Sequence, residues 1–214
     1  MKRREFALTS VAATSSILTR GAFAQGGKFV EGVDYLSLDK RVPADVGNGK
    51  IEIIEFFWYS CPHCNAFEPS LASWIKSAPK DLVIKRVPVR FQDSFEAQQR
   101  MYYVLDSLNK IDALHAQVFK AIHVEKLNLS NSEGLANWAS AHGIEKTQFM
   151  ELFNSFGVAT QAKRAAQLQE AYKVQGVPAL GVAGRFYTDG SIAGSMDRAL
   201  QVVEFLATEV RKGR

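Results

Sequence analysis

The chain has 214 residues, 47% hydrophobic and 22% charged, with a formal net charge of +4 and only two cysteines. Two cysteines cannot build a disulfide-stapled scaffold, and a chain of this size can close an apolar core without one. The basic excess lies largely in the first residues and is expected to be removed, so no basic footprint argues for nucleic acid.

Met1-Lys2-Arg3-Arg4 is a basic start, Phe6 to Leu18 is mildly apolar, and Ala22-Phe23-Ala24 is a small-x-small site before Gln25. This is the layout of a cleaved signal peptide over residues 1–24, whose apolar part is too short and too rich in Ser and Thr to span a bilayer. Arg3-Arg4 before Glu5-Phe6 fits a twin-arginine export signal, and a general secretory leader fits as well. The alternative is an amphipathic helix of the mature fold. Cleavage after Ala24 removes Lys2, Arg3, Arg4, Arg20 and the one acid Glu5, leaving 22 basic against 21 acidic residues in a mature chain of 190. After residue 24 no apolar run is long enough to cross a membrane.

In the expected mature chain, Phe29 to Leu38 reads as a first strand with a turn near Gly32. Ile51 to Phe57 is β-branched and aromatic and reads as a buried strand. Cys61 to about Lys76 is helical, with Phe67, Leu71 and Trp74-Ile75 at helical spacing and Pro69 expected to kink it. Leu82 to Val89 is a further strand. From Asp93 to Phe156 the period is helical: Leu114, Val118 and Ile122 recur every four residues, Ser130 to Glu133 offers a capping box and Gly143 a stop. A helix over about Gly157 to Tyr172 follows. Val177 to Val182 and Arg185 to Tyr187 then read as a hairpin turning at Ala183-Gly184, and Met196 to Lys212 as a last helix. The order predicts an α/β sheet domain, residues 25–92 and 157–214, interrupted by a helical insertion over 93–156.

Both cysteines lie in Cys61-Pro62-His63-Cys64, directly after the buried strand. Pro62 suits the first helical position, where a missing N–H costs nothing. Cys61 then caps the helix and Cys64 follows one turn later on the same face, within reach of a disulfide. Free N–H groups and the positive end of the helix dipole face Cys61 and favour its thiolate, and His63 adds to this. Each unit by which the thiol pKa falls favours the reduced, ionised form by roughly 1.4 kcal/mol. A stabilised thiolate leaves easily, so the pair is expected to donate its disulfide, with Cys64 as the resolving thiol.

Phe56 to Cys64, with Gly176-Val177-Pro178 far downstream, resembles the DsbA family of periplasmic thiol:disulfide oxidoreductases over essentially the whole mature chain. The resemblance implies a thioredoxin fold with an inserted helical domain, a periplasmic location and no cofactor beyond the cysteine pair. It implies a cis Pro178 against the dithiol, with Val177 offering main-chain hydrogen bonds to a bound peptide. It also implies a buried acid and lysine beneath the disulfide, at Glu55 and Lys85, moving the proton of Cys64. The bland alternatives are a trans proline opening a strand, a strand-edge Glu and a solvent-side Lys. Partners implied are reduced, unfolded exported proteins and a membrane quinone-linked DsbB-like oxidase, with the protein itself a monomer.

Trp58, Tyr59, Phe186 and Tyr187 read either as an apolar binding surface or as core. His115, His123 and His142 lack metal-ligand spacing and read as surface or internally hydrogen-bonded side chains. Two rivals to an oxidase are a reductase or isomerase on the same fold and a metal-binding module, for which Cys61, Cys64 and His63 supply too few ligands alone.

Overall fold

A computed structural model describes residues 29–214; the expected leader and its cleavage site lie outside the described residues. Five strands form one mixed sheet, β1 (Leu36–Ser37), β2 (Ile51–Phe57), β3 (Leu82–Pro88), β4 (Ala179–Val182) and β5 (Phe186–Asp189), in the order β1-β5-β4-β2-β3. Only β2 and β3 run parallel; the other pairs are antiparallel. All seven residues of β2 are buried, as a strand between two neighbours and under helices on both faces requires.

Helices α1 (Pro62–Ser77) and α8 (Met196–Arg211) cover one face, where Ile51, Ile53, Phe67, Leu71, Val203 and Leu206 share an apolar cluster. The other face meets the helical stretch between β3 and β4: α2 (Glu96–Ser107), α3 (Ile111–His123), α4 (Ser132–Ala141), α5 (Lys146–Phe153) and α6 (Phe156–Ala171). There Ile54, Phe56, Val87, Met101, Leu105 and Phe149 belong to a second cluster. Helix α6 packs on α2 and α5 and also on β3, tying the helical stretch to the sheet. A short α7 (Gly190–Ala193) precedes α8. Among the described residues no helix is long and apolar enough to cross a membrane.

The strand expected over Phe29 to Leu38 contracts to Leu36–Ser37. The reason is local: the Asp34 carboxylate accepts the Val30 N–H at 2.8 Å, the Asp34 N–H donates to the Val30 carbonyl at 2.8 Å, and Gly32 turns the chain at φ 80°. A segment closed on itself offers no ladder. At the hairpin, Ala183 and Gly184 both have positive φ (54° and 65°), the backbone a type I′ turn demands. A Cβ on Gly184 would also lie 1.8 Å from the Val42 carbonyl oxygen, so glycine is required twice over.

Candidate active site

Cys61 ends the loop leaving β2 and caps α1. Its backbone is extended (φ −77°, ψ 118°), and its Sγ accepts the Cys64 N–H at 3.4 Å. Pro62 fills the first helical position, which leaves the sulfur at the dipole's positive end. Both cysteines are free thiols; Cys61 is 7% exposed and Cys64 fully buried. The Cys61 thiol donates to the Val177 carbonyl oxygen at 3.3 Å, and the Val177–Pro178 bond is cis. His63 is exposed and lines, with Val177, Pro178, Asp189, Ser191 and Met196, a cavity of about 310 Å³ beside the sulfur.

The two thiols are driven apart. Donation from the Cys64 side chain, ahead of the opposing cost of burial, draws Cys61 down to about 6; the backbone N–H groups of Cys64 and His63 and the His63 charge add to this. Burial pushes Cys64 far above an ordinary thiol, and its hydrogen bond to Cys61 and the charges of Cys61 and Glu55 act the same way. The proton therefore stays on Cys64 while Cys61 ionises.

Behind the pair, the cation beside Glu55 is Arg86, not Lys85. The parallel register pairs Glu55 with Arg86 and Ile54 with Lys85. Successive side chains alternate between faces of a strand, so Lys85 is directed to the opposite face from Glu55. It lines a cavity of about 550 Å³ with Asp106, Asp112 and Arg164, whose wall Arg86 also reaches. Arg86 Nε donates to Glu55 Oε2 at 2.9 Å and its Nη2 to Glu68 Oε1 at 2.5 Å. Glu55 is 1% exposed, and burial, against the pull of Arg86 and with the push of Glu68, raises its carboxyl to about 7.

The loop before Cys61 is held by the helical stretch. Trp58 stacks on Phe95 with ring centroids 3.7 Å apart. Tyr59 OH meets His115 Nδ1 at 2.9 Å, and the Tyr59 carbonyl meets His123 Nε2 at 2.8 Å. Gln98 accepts the Ser60 N–H at 3.1 Å and donates to Ser60 Oγ at 2.6 Å. Tyr59, Phe186 and Tyr187 are buried, which makes them core; Trp58 alone of that group is partly exposed. His142 bonds the Trp138 carbonyl.

Arg86, Glu68, His115 and Gln98 were not among the site residues expected from sequence. Glu68 carried a usable signal, four residues after Cys64 and hence on the same helical face. Arg86 required the register of β3, and His115 and Gln98 required the tertiary fold.

A family model described as a DSBA-like thioredoxin domain matches residues 52–201. The chain is 38% identical over 205 residues to the thiol:disulfide interchange protein DsbA of Bordetella parapertussis, covering 95% of this chain and 97% of that one. It is 34% identical over 208 residues to the protein of that name from Pseudomonas aeruginosa, covering 97% of each. The crystal structure of Pseudomonas aeruginosa DsbA superposes with a TM-score of 0.82 at 34% identity, over 86% of this chain and 96% of that one. The oxidoreductase NmDsbA1 of Neisseria meningitidis gives 0.76 at 25% identity, over 88% and 97%. With a dithiol at a helix N-terminus against a cis-proline loop, on the sheet these matches share, the chain belongs to the DsbA family of thiol:disulfide interchange proteins.

Proposed function

We propose that the protein is a periplasmic disulfide donor whose redox centre is the Cys61–Cys64 pair. The observation that carries this is the opposed setting of the two thiols, Cys61 drawn down to about 6 and Cys64 held protonated by burial. A substrate thiolate attacks Cys61 Sγ of the oxidised pair; the Cys61–Cys64 bond breaks and a mixed disulfide forms. Cys64 leaves as a thiolate and takes a proton, for which Glu55, raised to about 7 and acting on Cys64 electrostatically, is the fitting donor. A second substrate thiol gives its proton to solvent, and the resulting thiolate attacks the substrate sulfur of the mixed disulfide. The product disulfide forms and Cys61 departs as its stabilised thiolate.

Substrates on this reading are reduced, unfolded exported proteins, bound along the cavity beside His63, Val177 and Pro178. Reoxidation falls to a membrane quinone-linked partner of the DsbB kind, with the protein acting as a monomer. Pro62 serves by opening α1 and His63 by its charge beside Cys61.

Cys61→Ser is expected to abolish oxidation of a reduced test protein. Ultraviolet thiolate absorbance of the reduced wild type should titrate near 6; titration near 9, with full activity in Cys61→Ser, overturns the assignment.

A further inference from the structure

Asp189, the last residue of β5, is a wall of two cavities. One is the space beside the dithiol that His63, Val177 and Met196 also line; the other has a volume of about 560 Å³. Leu36, Leu38, Tyr187 and Ile192 give this second cavity its apolar lining, with Lys173 and Gln175 from the segment that leads to Val177. Leu36 pairs with Tyr187 across β1 and β5, and Tyr187 belongs to the cluster shared with the helical stretch. Leu36 and Leu38, two residues apart, stand on that same face.

The charged groups of this lining are mostly satisfied within the protein. Asp189 Oδ1 accepts the Ser191 and Ile192 N–H groups at 2.8 and 2.9 Å, and Oδ2 accepts the Tyr187 hydroxyl at 2.6 Å. Lys173 pairs with Asp39, and Glu31, the remaining charge, is exposed to solvent. What the cavity offers an incoming chain is therefore apolar surface, whereas the one lined by Lys85 offers Asp106, Asp112 and Arg164. Leu36 is 43% exposed over it. A lone exposed leucine is ordinary; one that borders a cavity continuous with the redox site marks a contact surface.

We propose that the second cavity is a substrate subsite: it takes an apolar side chain of the unfolded polypeptide whose cysteine is engaged at Cys61. This rests on the reading of the protein as a disulfide donor to unfolded chains. Such a chain brings both things the site requires, an extended backbone to pass Asp189 and apolar side chains that a folded protein would bury. The spacing follows from the sheet. Val177 stands two residues before the start of β4, and Leu36 is level, through Tyr187, with Gly181 two residues beyond that start. Four residues along and two strand spacings across make about 16 Å, or about five residues of extended chain. The apolar side chain should therefore lie about five residues from the substrate cysteine.

The test uses the oxidised full chain and Gly/Ser peptides with one cysteine and one phenylalanine, placed two, five or nine residues before or after it. The rate constant for opening the Cys61–Cys64 disulfide should be about tenfold higher at five residues, on one flank, than at two or nine. That ratio is the readout, so any general change in reactivity cancels. Leu36→Lys should bring it to about one, and Leu36→Met should keep it. Reaction of the wild type with dithiothreitol reports separately on the redox centre. Failure there defeats the disulfide-donor reading; reaction there with no dependence on phenylalanine position overturns the subsite. A second measurement needs no redox step: the five-residue peptide with serine for cysteine should shift the amide NMR signals of Leu36, Ser37 and Lys173. Shifts confined to His63 and Val177, or a ratio that survives Leu36→Lys, overturn the proposal. Concentration-dependent shifts of the same amides without peptide would give the cavity to a second copy of the chain and overturn it too.

Discussion

Cys61 and Cys64 lie one helical turn apart, and their thiols respond to that short distance with opposite signs. The sulfur at the helix end receives N–H groups and a neighbouring S–H; the one beneath is raised by burial, by its own hydrogen bond to Cys61 and by negative charge, against one opposing backbone hydrogen bond at Trp58. Folding therefore lowers the Cys61 pKa from 9.0 to about 6. Between those values the unfolded chain binds more proton than the reduced native state. The reduced protein thus gains stability as pH rises, by up to about 1.4 kcal/mol per unit; the gain is complete above about 9 and lost as pH falls through about 6. Glu55 has the reverse sign: raised from 4.5 to about 7, its contribution is present below 4.5 and lost as pH rises through about 7. Glu55 is common to both redox forms and Cys61 is a thiol only in one. Urea unfolding of the two forms in parallel should therefore show the reduced form gaining on the oxidised form from pH 6 to 9. A constant difference across that window would mean that Cys61 titrates as an ordinary thiol.

At the scale of elements, helix ends separate stability from chemistry. Five of the helices that follow α1 use ordinary oxygen caps, among them Asn131 on α4, whose side chain accepts the Gly134 N–H at 2.9 Å, and Ser195 on α8. Helix α1 instead takes a cysteine, whose sulfur is a weaker acceptor but an ionisable one. Asn131→Ala should cost about 1 kcal/mol of stability, read by urea unfolding, with the Cys61 titration unchanged because Asn131 is exposed and the groups that act on Cys61 are Cys64 and His63. These element ends were mostly legible. The β2 strand, the Cys61–Pro62 start of α1 and the Ala183-Gly184 turn follow from residues adjacent in sequence, where local geometry decides. The α4 cap lies one residue on: Asn131 rather than Ser130 takes the position, because its side-chain amide oxygen reaches the Gly134 N–H. The first strand failed for a similar reason, since the alternation of Phe29 to Leu38 carries no sign that Asp34 will close the segment on itself.

Across the whole molecule, the site divides into a part written locally and a part that exists only after folding. Cys61, Pro62 and Cys64 declare themselves by spacing. The choice of Arg86 over Lys85 depends on one residue of register between β2 and β3, and the grip on the loop depends on α2 and α3 reaching it from outside the sheet. That grip makes the helical stretch part of the redox site, because each of Trp58, Tyr59 and Ser60 is fastened to it. Gln98 is the joint most open to test. It is 3% exposed and ties the Ser60 N–H, the Ser60 hydroxyl and the Leu129 carbonyl together. Gln98→Ala leaves the Ser60 N–H and the Leu129 carbonyl unpaired, for a loss of about 2 kcal/mol. It leaves in place the bond from the Cys64 N–H to Cys61 Sγ, so the Cys61 titration should stay near 6. Native-state hydrogen exchange at Ser60 should then quicken well beyond the change at β2 amides, reporting a loop released from α2. Exchange at Ser60 that tracks β2 instead would show the loop to be held from the sheet side, with the helical stretch serving only as cover.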